Sequence, residues 1–376
     1  YAISCLCLGL FCSILVLYAR GEMVNAYTTC HEVLSQIGET VPKAIDPKES
    51  AKIIATTSKL VKNISDTELL KMEESEVQPR TSMKFYSLMA TIALFIKPEL
   101  FPLLVCRVVQ LTMEHGICKY SMLGLVQYAA LLCGKNDILG SSQLGKAIIS
   151  CLKNRFDSAK LQSGVYATYY GLVAFRTEPV QLCTSMLCQG FDAGMSVGES
   201  GAAFFNAIQH VKVALFSGEK LSRLIERVDY YLGLRDQHNF SNKCLLVLRD
   251  TISMLIDKGA MSSSKINRSN TAAENSTDPT NNSEIMNLHR AVQAFWLGHS
   301  ERCHHYAGKL LQTNSRIRIF FDIFIMFLYG LNSFQVLKRQ NTAKLRKVPI
   351  DAIASLKIAS SHSRWNFANK VKIQMT

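Results

Sequence analysis

Residues 190 to 234 read GFDAGMSVGESGAAFFNAIQHVKVALFSGEKLSRLIERVDYYLGL, and this stretch decides the predicted fold. In its first part the small and apolar positions recur every three or four residues, which places them on one buried helix face. These positions are Ala203, Ala207, Val211, Ala214 and Leu215. Gly218 can take the positive φ that ends a helix, and Glu219 suits the positive end of the next one.

A second helix is predicted directly after that turn, because apolar and charged residues separate onto two faces. Its inward positions are Leu221, Leu224, Ile225, Val228, Tyr231 and Leu232. Its outward positions are Lys220, Arg223, Glu226 and Arg227. The stretch therefore predicts a helical hairpin.

The same pattern recurs in LVLYARGEMVNAYTTCHEVL (15 to 34), YAALLCGKNDILGSSQLGKAI (128 to 148) and VQAFWLGHSERCHHYAGKLL (292 to 311). The predicted turns lie at Gly21-Glu22, Gly134 and Gly298, and Gly134 precedes Gly218 by 84 positions, about two repeats of 42. Hairpins of this length bury their faces by stacking on neighbours. The fold class predicted is all-α, an α-α superhelix or TPR-like solenoid, although the full tetratricopeptide pattern is absent from the sequence.

Composition agrees with a packed helical protein, since 48% of the 376 residues are hydrophobic and 19% are charged. The 12 cysteines are scattered through apolar segments with no CxxC pair. This spacing indicates reduced core cysteines in a cytoplasmic protein and argues against a disulfide framework or a zinc site. Because the chain begins with Tyr1 rather than Met, we expect a fragment of a longer protein.

The net charge of +13 is concentrated at one end, where residues 316 to 376 hold 11 Lys or Arg and 2 Asp, a net +9. Such a basic end suits nucleic acid, an anionic membrane or an acidic protein domain. No recognised nucleic-acid motif accompanies the charge, so we expect no nucleic-acid partner.

Residues 1 to 19, YAISCLCLGLFCSILVLYA, carry no charge and barely reach the length of a membrane span. Cys, Ser and Gly dilute their apolarity, and Arg20-Gly21-Glu22 ends them where a hairpin turn belongs. A buried first helix is the preferred interpretation. A membrane span or signal segment through residues 1 to 19 remains the alternative.

Three segments are predicted: a helical array at 1 to 258, a disordered Ser/Asn-rich insert at 259 to 283, and a continuation with a basic end at 284 to 376. Within them, Asp66 is expected to cap a helix over 66 to 74. Gln78-Pro-Arg80 is expected to separate two helices, and a helix is expected over 350 to 360.

The stretch Gly140-Ser-Ser-Gln-Leu-Gly145-Lys146-Ala147 nearly matches the phosphate-loop pattern GxxxxGK[ST]. Ala147 lacks the hydroxyl that would bind magnesium, and the segment follows a helical turn rather than a strand. We therefore expect no nucleotide site here.

Four metal-ligating residues lie close together at His299, Cys303, His304 and His305. His299 and Cys303 are four apart and would share a helix face, but a metal needs a third and fourth ligand, and no complementary cluster follows. Surface histidines at a turn are the preferred interpretation. We expect no catalytic, cofactor-binding or metal-binding residues in this chain.

Several segments resemble the helical middle region of very large bacterial-type signalling proteins. The resemblance is carried by KPELFPLLVCRVVQLTMEHG (97 to 116), YAALLCG (128 to 134), FDSAKLQSGVYATYYGLVAFRTEP (156 to 179), GFDAGMSVGESGAAFFN (190 to 206) and LFSGEKL (215 to 221). Trp365-Asn-Phe-Ala-Asn-Lys370 is similar to the segment that closes this region. Asn369 stands where the family tends to have His, and the insert at 259 to 283 is a further departure.

In that family a serine/threonine kinase-like domain and an AAA-type ATPase precede the TPR-like region, and a GAF domain with a histidine kinase or another output domain follows it. The resemblance implies a non-catalytic regulatory or protein-interaction region of a multidomain signal-transduction ATPase or kinase. Other domains of the same polypeptide, another protein or a small effector would be the partner. The alternative is a membrane-anchored helical protein that uses residues 1 to 19 as a span.

Overall fold

The computed structural model describes residues 2–62, 64–156, 158–234, 240–257, 282–312, 318–339 and 342–375. In these ranges every regular element is helical, apart from an isolated parallel bridge between Glu74 and Ile117. The predicted fold class, an all-α array of helical hairpins, is confirmed. Most of the predicted insert, residues 259 to 281, lies outside the described residues, and the predicted division of the chain at this insert stays a prediction.

The contacts divide the chain into two compact units. Unit 1 comprises Tyr1–Thr177, Ser185–Asn206 and His238–Phe240, and unit 2 comprises Glu178–Thr184, Ala207–Gln237 and Ser241–Thr376.

Nine helices and a 3-10 helix lie in the described part of Tyr1–Thr177. They are α1 (Ala2–Arg20), α2 (Met23–Gln36), α3 (Pro47–Val61), α4 (Asp66–Lys71), α5 (Val77–Ile96), α6 (Phe101–His115), α7 (Lys119–Gly134), α8 (Ile138–Arg155), α9 (Ala159–Leu172) and the 3-10 helix Ala174–Arg176. Helices α5 to α8 pack on their neighbours in sequence, whereas α3 packs on α6 and α4 packs on α8. Unit 1 is therefore not a plain succession of nearest-neighbour hairpins.

Two further helices, α10 (Val180–Ser196) and α11 (Ser200–Ser217), contribute residues to both units. The remaining helices belong to unit 2 apart from Phe240, the first residue of α13. They are α12 (Leu221–Gly233), α13 (Phe240–Ile256), α14 (Asn282–Trp296), α15 (Ser300–Gln312), α16 (Arg318–Leu337), α17 (Ala343–His362) and α18 (Arg364–Met375). From α14 to α18 each helix packs on the next.

The hairpin predicted around Gly218 is confirmed. Leu224, Val228 and Tyr231 of α12 are buried, and the four outward residues are exposed. Gly218 has φ +81°, and the Glu219 amide donates to the Ala214 carbonyl. This is the hydrogen bond that closes a helix when the turn residue is left-handed.

One predicted turn residue is wrong. Gly134 is the last residue of α7, and the left-handed residue is Asn136, with φ 66°. The Asp137 and Asn136 amides donate to the carbonyls of Leu132 and Cys133, so Asn136 makes the closing turn expected of glycine. Asparagine tolerates this conformation better than other side chains. The 84-residue interval therefore does not join two equivalent turn residues.

A predicted helix cap and a predicted break between helices are also wrong. Ser65, not Asp66, caps α4, because its side chain accepts from the Glu68 amide while Glu68 accepts from the Ser65 amide. That helix ends at Lys71, short of the predicted Glu74. Residues 78 to 80 lie inside the first turn of α5, where proline costs little because the first amides have no helical partner.

The helix predicted over 350 to 360 is longer than expected. Helix α17 begins at Ala343 and contains Pro349, and the Thr342 side chain caps it by accepting from the Leu345 amide. Proline removes one helical hydrogen bond. Here the cap and the packing of α17 on α16 and α18 keep the helix continuous through it.

Helix α1 packs on α2 and α5 within unit 1. Ile14 is fully buried, and the Phe11 ring lies 5.9 Å from the Phe85 ring. The Lys84 ammonium lies 3.7 Å from the centre of the Phe11 ring. Among the described residues, no helix combines the length and the apolarity that crossing a membrane requires.

Candidate functional site

A surface pocket lies between α14 and α15 of unit 2. Seven side chains line it: Arg290, Gln293, Ala294, Leu297, His299, Arg302 and Tyr306. Its empty volume is about 320 Å³, a figure that includes space open to solvent. It is a shallow depression that can receive one chemical group rather than a whole cofactor.

Helical spacing explains why these residues meet. Arg290 and Gln293 are three apart on α14, and Leu297 follows four residues later, directly after the helix ends, so the three share one face. Arg302 and Tyr306 are four apart on α15 and share a face in the same way. The pocket is therefore a product of two helix faces and the short turn that joins them.

That turn is closed by Gly298, which has φ +75°. The amide of His299 donates to the Ala294 carbonyl over 2.8 Å, and that of Gly298 donates to the Phe295 carbonyl over 3.1 Å. These two bonds form a Schellman motif, which requires the left-handed conformation that glycine adopts at no steric cost. The motif fixes where α14 ends and so places His299 at the start of α15.

The lining is positively charged. Arg290 and Arg302 contribute two guanidinium groups, and none of the seven lining residues is acidic. The guanidinium carbon of Arg290 lies 5.5 Å from the centre of the Tyr306 ring, within cation–π range. Glu301, the nearest acid in sequence, pairs with Arg339 over 3.3 Å. Two basic side chains therefore meet at this pocket.

Gln293 connects the pocket to a polar layer inside unit 2. Its side-chain amide donates to the Thr251 hydroxyl on α13 over 3.0 Å, and Thr251 is fully buried. Three basic side chains among the described residues of unit 2 are also at least nine-tenths buried, namely His210, Lys212 and His289. Neither ring nitrogen of His289 has a hydrogen-bond partner among the described residues.

Burial lowers the pKa of each of these basic groups, because it disfavours the charged form. It lowers the pKa of His289 to about 3, with the charge of Lys212 as a second cause. It lowers the pKa of His210 to about 4, with Arg227 as a second cause, and the Tyr231 hydroxyl lies 3.2 Å from the His210 Nδ1 atom. Burial also lowers the pKa of Lys212. At neutral pH both histidines are uncharged.

The near phosphate-loop pattern lies inside α8 and forms no loop. Asp137 caps that helix, and a Cβ added at Gly140 would meet its carboxylate at 2.5 Å. A Cβ at Gly145 would lie 2.1 Å from the Tyr169 ring. Close packing therefore explains why these two positions are glycines. Their amides belong to a helix, so they cannot surround a phosphate.

The four candidate metal ligands do not come together. His299 lines the pocket, whereas Cys303 is fully buried, and burial raises the pKa of its thiol to about 12. His304 stacks on Tyr329 with ring centres 4.4 Å apart, and burial lowers its pKa. His305 is exposed. Among the described residues, no group of three or more His, Cys, Asp or Glu side chains is arranged to hold a metal ion.

The C-terminal segment Trp365-Asn-Phe-Ala-Asn-Lys370 belongs to α18. Asn366 accepts from the Val180 amide over 3.2 Å and donates to the Glu178 carbonyl over 2.8 Å, so it caps the start of α10. Phe367 is fully buried, while Trp365 is 59% exposed. One face of the segment is therefore packed inside the protein, and the other face is open to solvent.

Sequence reasoning missed most of this site. It found His299 as a candidate metal ligand but not the two arginines or Tyr306 beside it. The signal available in the sequence was a pair of arginines, one on each side of the turn at Gly298. No known family model, curated protein or solved structure matches the chain.

Proposed function

We propose that this chain is a non-catalytic helical-repeat region that binds proteins and regulates a multidomain signal-transduction ATPase or kinase. The observation that carries the proposal is the exposed surface of α17 and α18. Five large apolar side chains there are more than half exposed: Ile350, Ile358, Trp365, Ile373 and Met375. Clustered exposed apolar side chains are typical of protein-binding surfaces.

These apolar residues follow helix faces. Ile350 and Ile358 are eight apart on α17, with the exposed Ala354 midway between them. Trp365 and Ile373 are likewise eight apart on α18. Helix α17 therefore presents an apolar stripe to solvent in addition to the face that it buries, whereas on α18 the exposed Asn369 lies between the two apolar residues.

The charge of these two helices supports an acidic partner. Residues 343 to 375 contain seven Lys or Arg and one Asp, a net charge of +6. Complementary charge speeds association and fixes the orientation of partners. The partner we propose is an acidic surface on another domain of the same polypeptide, which accords with the family resemblance of this segment.

The test begins with the reading frame on both sides of the chain. Each flanking domain is expressed separately and titrated with the chain by isothermal titration calorimetry. We expect at least one domain to bind. Trp365→Ala should weaken that binding by about tenfold or more, because exposed tryptophans are frequent hot spots. Leu139→Ala, which removes a 60% exposed side chain from α8, is the matched control and should change affinity by less than about twofold.

Two results would overturn the proposal. One is a flanking frame that encodes no ATPase, kinase or GAF domain. The other is turnover of ATP by the isolated chain that disappears in Lys146→Ala, since that would assign catalysis to the near phosphate-loop segment.

A further inference from the structure

We infer that the surface formed by α17 and α18 binds residues 66–77 of a second copy of this chain. The inference rests on the proposed function in one respect, because it takes α17–α18 as a protein-binding surface, and it names a second partner for that surface. Residues 66–77 run from the start of α4 to the first residue of α5, and we call them the acidic segment.

The acidic segment is opposite in charge to the chain as a whole. It contains five Asp or Glu and one Lys, a net charge of −4, in a chain whose net charge is +13. Glu73, Glu74 and Glu76 are exposed. Glu74 lies 3.9 Å from Arg80, whereas Glu73 and Glu76 form no ion pair among the described residues. Two carboxylates of the segment are therefore open to cations of another molecule.

The backbone beneath these carboxylates is held in place. Ser75 is only 1% exposed, its amide donates to the Ile117 carbonyl over 3.0 Å, and the Ile117 amide donates to the Glu73 carbonyl over 2.9 Å. The Arg155 guanidinium donates to the Leu70 carbonyl over 3.3 Å. A segment that is already ordered loses less conformational entropy when it binds. The acidic segment is therefore preorganised for a partner.

The α17–α18 surface carries the complementary charge. Lys347 and Lys357 of α17 and Arg364 of α18 are exposed, and within the described part of the chain none of the three has an ion-pair partner. Lys347 precedes Ile350 by three positions and Lys357 follows it by seven, so the three share one helix face. Cations and exposed apolar side chains therefore lie together on this surface.

Both surfaces also expose a large apolar side chain. Val77, directly after Glu76, is 66% exposed, and Trp365 of α18 is 59% exposed. An apolar centre with a charged rim is the usual composition of a protein interface. Every copy of the chain carries both surfaces, so the acidic partner is always present at the same concentration as the basic one. A second copy is therefore the occupant that we infer.

Sedimentation equilibrium of the chain alone tests the inference. Two different surfaces meet in this contact, so each added copy leaves one surface of each kind open. In about 50 mM NaCl we expect the weight-average mass to rise between about 1 and 100 µM protein and to pass that of two chains. In about 500 mM NaCl the association should weaken by about tenfold or more, because salt screens the charges.

Two charge-reversed variants locate the contact. The first is Lys347→Glu with Lys357→Glu on α17, and the second is Glu73→Lys with Glu76→Lys in the acidic segment. Each variant alone should associate about tenfold or more weakly than the unsubstituted chain, because most of the attraction between the two surfaces is lost.

An equimolar mixture of the two variants should associate again and stop at two chains. The unaltered acidic segment of the first variant is still complementary to the unaltered α17–α18 surface of the second, and the other two surfaces are not complementary. Both variants keep a positive net charge, so attraction between whole molecules cannot produce this recovery.

Lys220→Glu with Lys309→Glu is the matched control. It makes the same change of charge at exposed positions at the start of α12 and on α15. This variant should change the association constant by less than about twofold.

Three results would overturn the inference. The first is a chain that stays monomeric up to about 100 µM in about 50 mM NaCl, where screening is weak. The second is association that survives in either charge-reversed variant, which would assign the contact to another surface. The third is a mixture of the two variants that does not associate. None of these measurements involves the flanking domains, so the self-association and the binding of a domain can fail independently.

Discussion

Unit 1 and unit 2 place ionisable side chains in their interiors in different ways. In unit 1 the charges are paired: Arg107 of α6 donates to Glu39 over 3.2 and 3.4 Å, and the Tyr86 hydroxyl of α5 donates to the same carboxylate over 3.0 Å. Burial alone would lower the pKa of Arg107, but the hydrogen bond and charge of Glu39 raise it. The network keeps the guanidinium charged.

In unit 2 burial favours the neutral forms of the buried basic side chains. His210, Lys212 and His289 all have a lowered pKa, and burial is the first cause for each. Charging any of the three groups therefore costs free energy of desolvation.

The difference predicts distinct sensitivities. Unit 1 depends on partners being present, because removing one partner leaves a charge inside the protein. Unit 2 depends on pH, because its buried bases must not become charged. The two units can be followed separately, since both tryptophans, Trp296 and Trp365, lie in unit 2 while the helical far-UV signal comes from both.

The largest effect is expected from tight packing in unit 1. A Cβ at Gly124 of α7 would lie 2.2 Å from Cγ1 of the buried Val108 on α6. Gly124→Leu should lower the free energy of unfolding by about 3 kcal/mol, because the two helices must separate to admit the side chain. Denaturation is followed by far-UV circular dichroism and compared with tryptophan fluorescence.

The control is Gly233→Leu in α12 of unit 2, where a Cβ would meet nothing within 4 Å. This change should alter the free energy of unfolding by less than about 1 kcal/mol in either direction. Equal destabilisation by the two substitutions would contradict the close approach of α6 and α7.

A smaller effect is expected from the charge network. Glu39→Gln leaves Arg107 without its counter-charge, and the Glu39 side chain is only 14% exposed, so unfolding should become easier by about 2 kcal/mol. Glu301→Gln breaks the pair with Arg339 in unit 2, whose side chains are 61% and 73% exposed. That control should lower the free energy of unfolding by less than about 1 kcal/mol. A larger loss for Glu301→Gln than for Glu39→Gln would contradict the difference between the buried network and the exposed pair.

The sequence predicted the helices well where periodicity and turn chemistry agree. In α12 the four predicted outward residues are exposed and three of the six predicted inward residues are buried, and the glycines at 21, 218 and 298 are left-handed turn residues as expected. The turn at Asn136 was missed because glycine, not asparagine, is the strong signal. The start of α5 was missed because proline was taken as a break rather than as a first-turn residue.

Long-range contacts could not be predicted in the same way. The hydrogen bonds from Gln110 to Thr57 and from Arg155 to the carbonyls at the end of α4 join positions 53 and 83 to 86 residues apart. They place α3 on α6 and α4 on α8. Local periodicity contains no information about such pairings, because any amphipathic helix can bury its apolar face on several neighbours.

The candidate pocket was hidden for a related reason. Arg290 and Arg302 are 12 residues apart, and only the closed turn at Gly298 brings their helices together as a pair. A single arginine on an amphipathic helix is usually a solvated side chain. The pocket becomes visible only when the hairpin geometry is known.

The pH prediction concerns unit 2. An unfolded histidine titrates near 6.5, whereas His289 in the folded chain takes up a proton only near pH 3. Between these values the unfolded state binds more protons, so the free energy of unfolding falls as the pH is lowered below 6.5. The slope is about 1.4 kcal/mol per pH unit for this one group.

His289→Leu removes the titrating ring and its two unpartnered nitrogens. We expect the free energy of unfolding, followed by tryptophan fluorescence, to be unchanged or higher at pH 7 and to fall less steeply between pH 6.5 and 4. His305→Gln replaces an exposed histidine of α15 and should keep the original slope. If His289→Leu also kept the original slope, the interpretation of His289 as a neutral buried imidazole would be contradicted.

The smallest effect compares one helix cap in each unit. Ser65 forms a reciprocal capping box on α4, with the Ser65 amide donating to Glu68 over 2.7 Å, whereas Thr342 makes a single bond of 3.3 Å to the Leu345 amide of α17. Ser65→Ala should cost about 1 kcal/mol and Thr342→Ala about 0.5 kcal/mol, because only the first breaks a pair of bonds. Helix α4 has only six residues, so amide hydrogen exchange over 66 to 71 should accelerate more than exchange at the start of α17. Equal acceleration at both helices would show that the packing of α4 on α8, rather than its cap, holds this helix in unit 1.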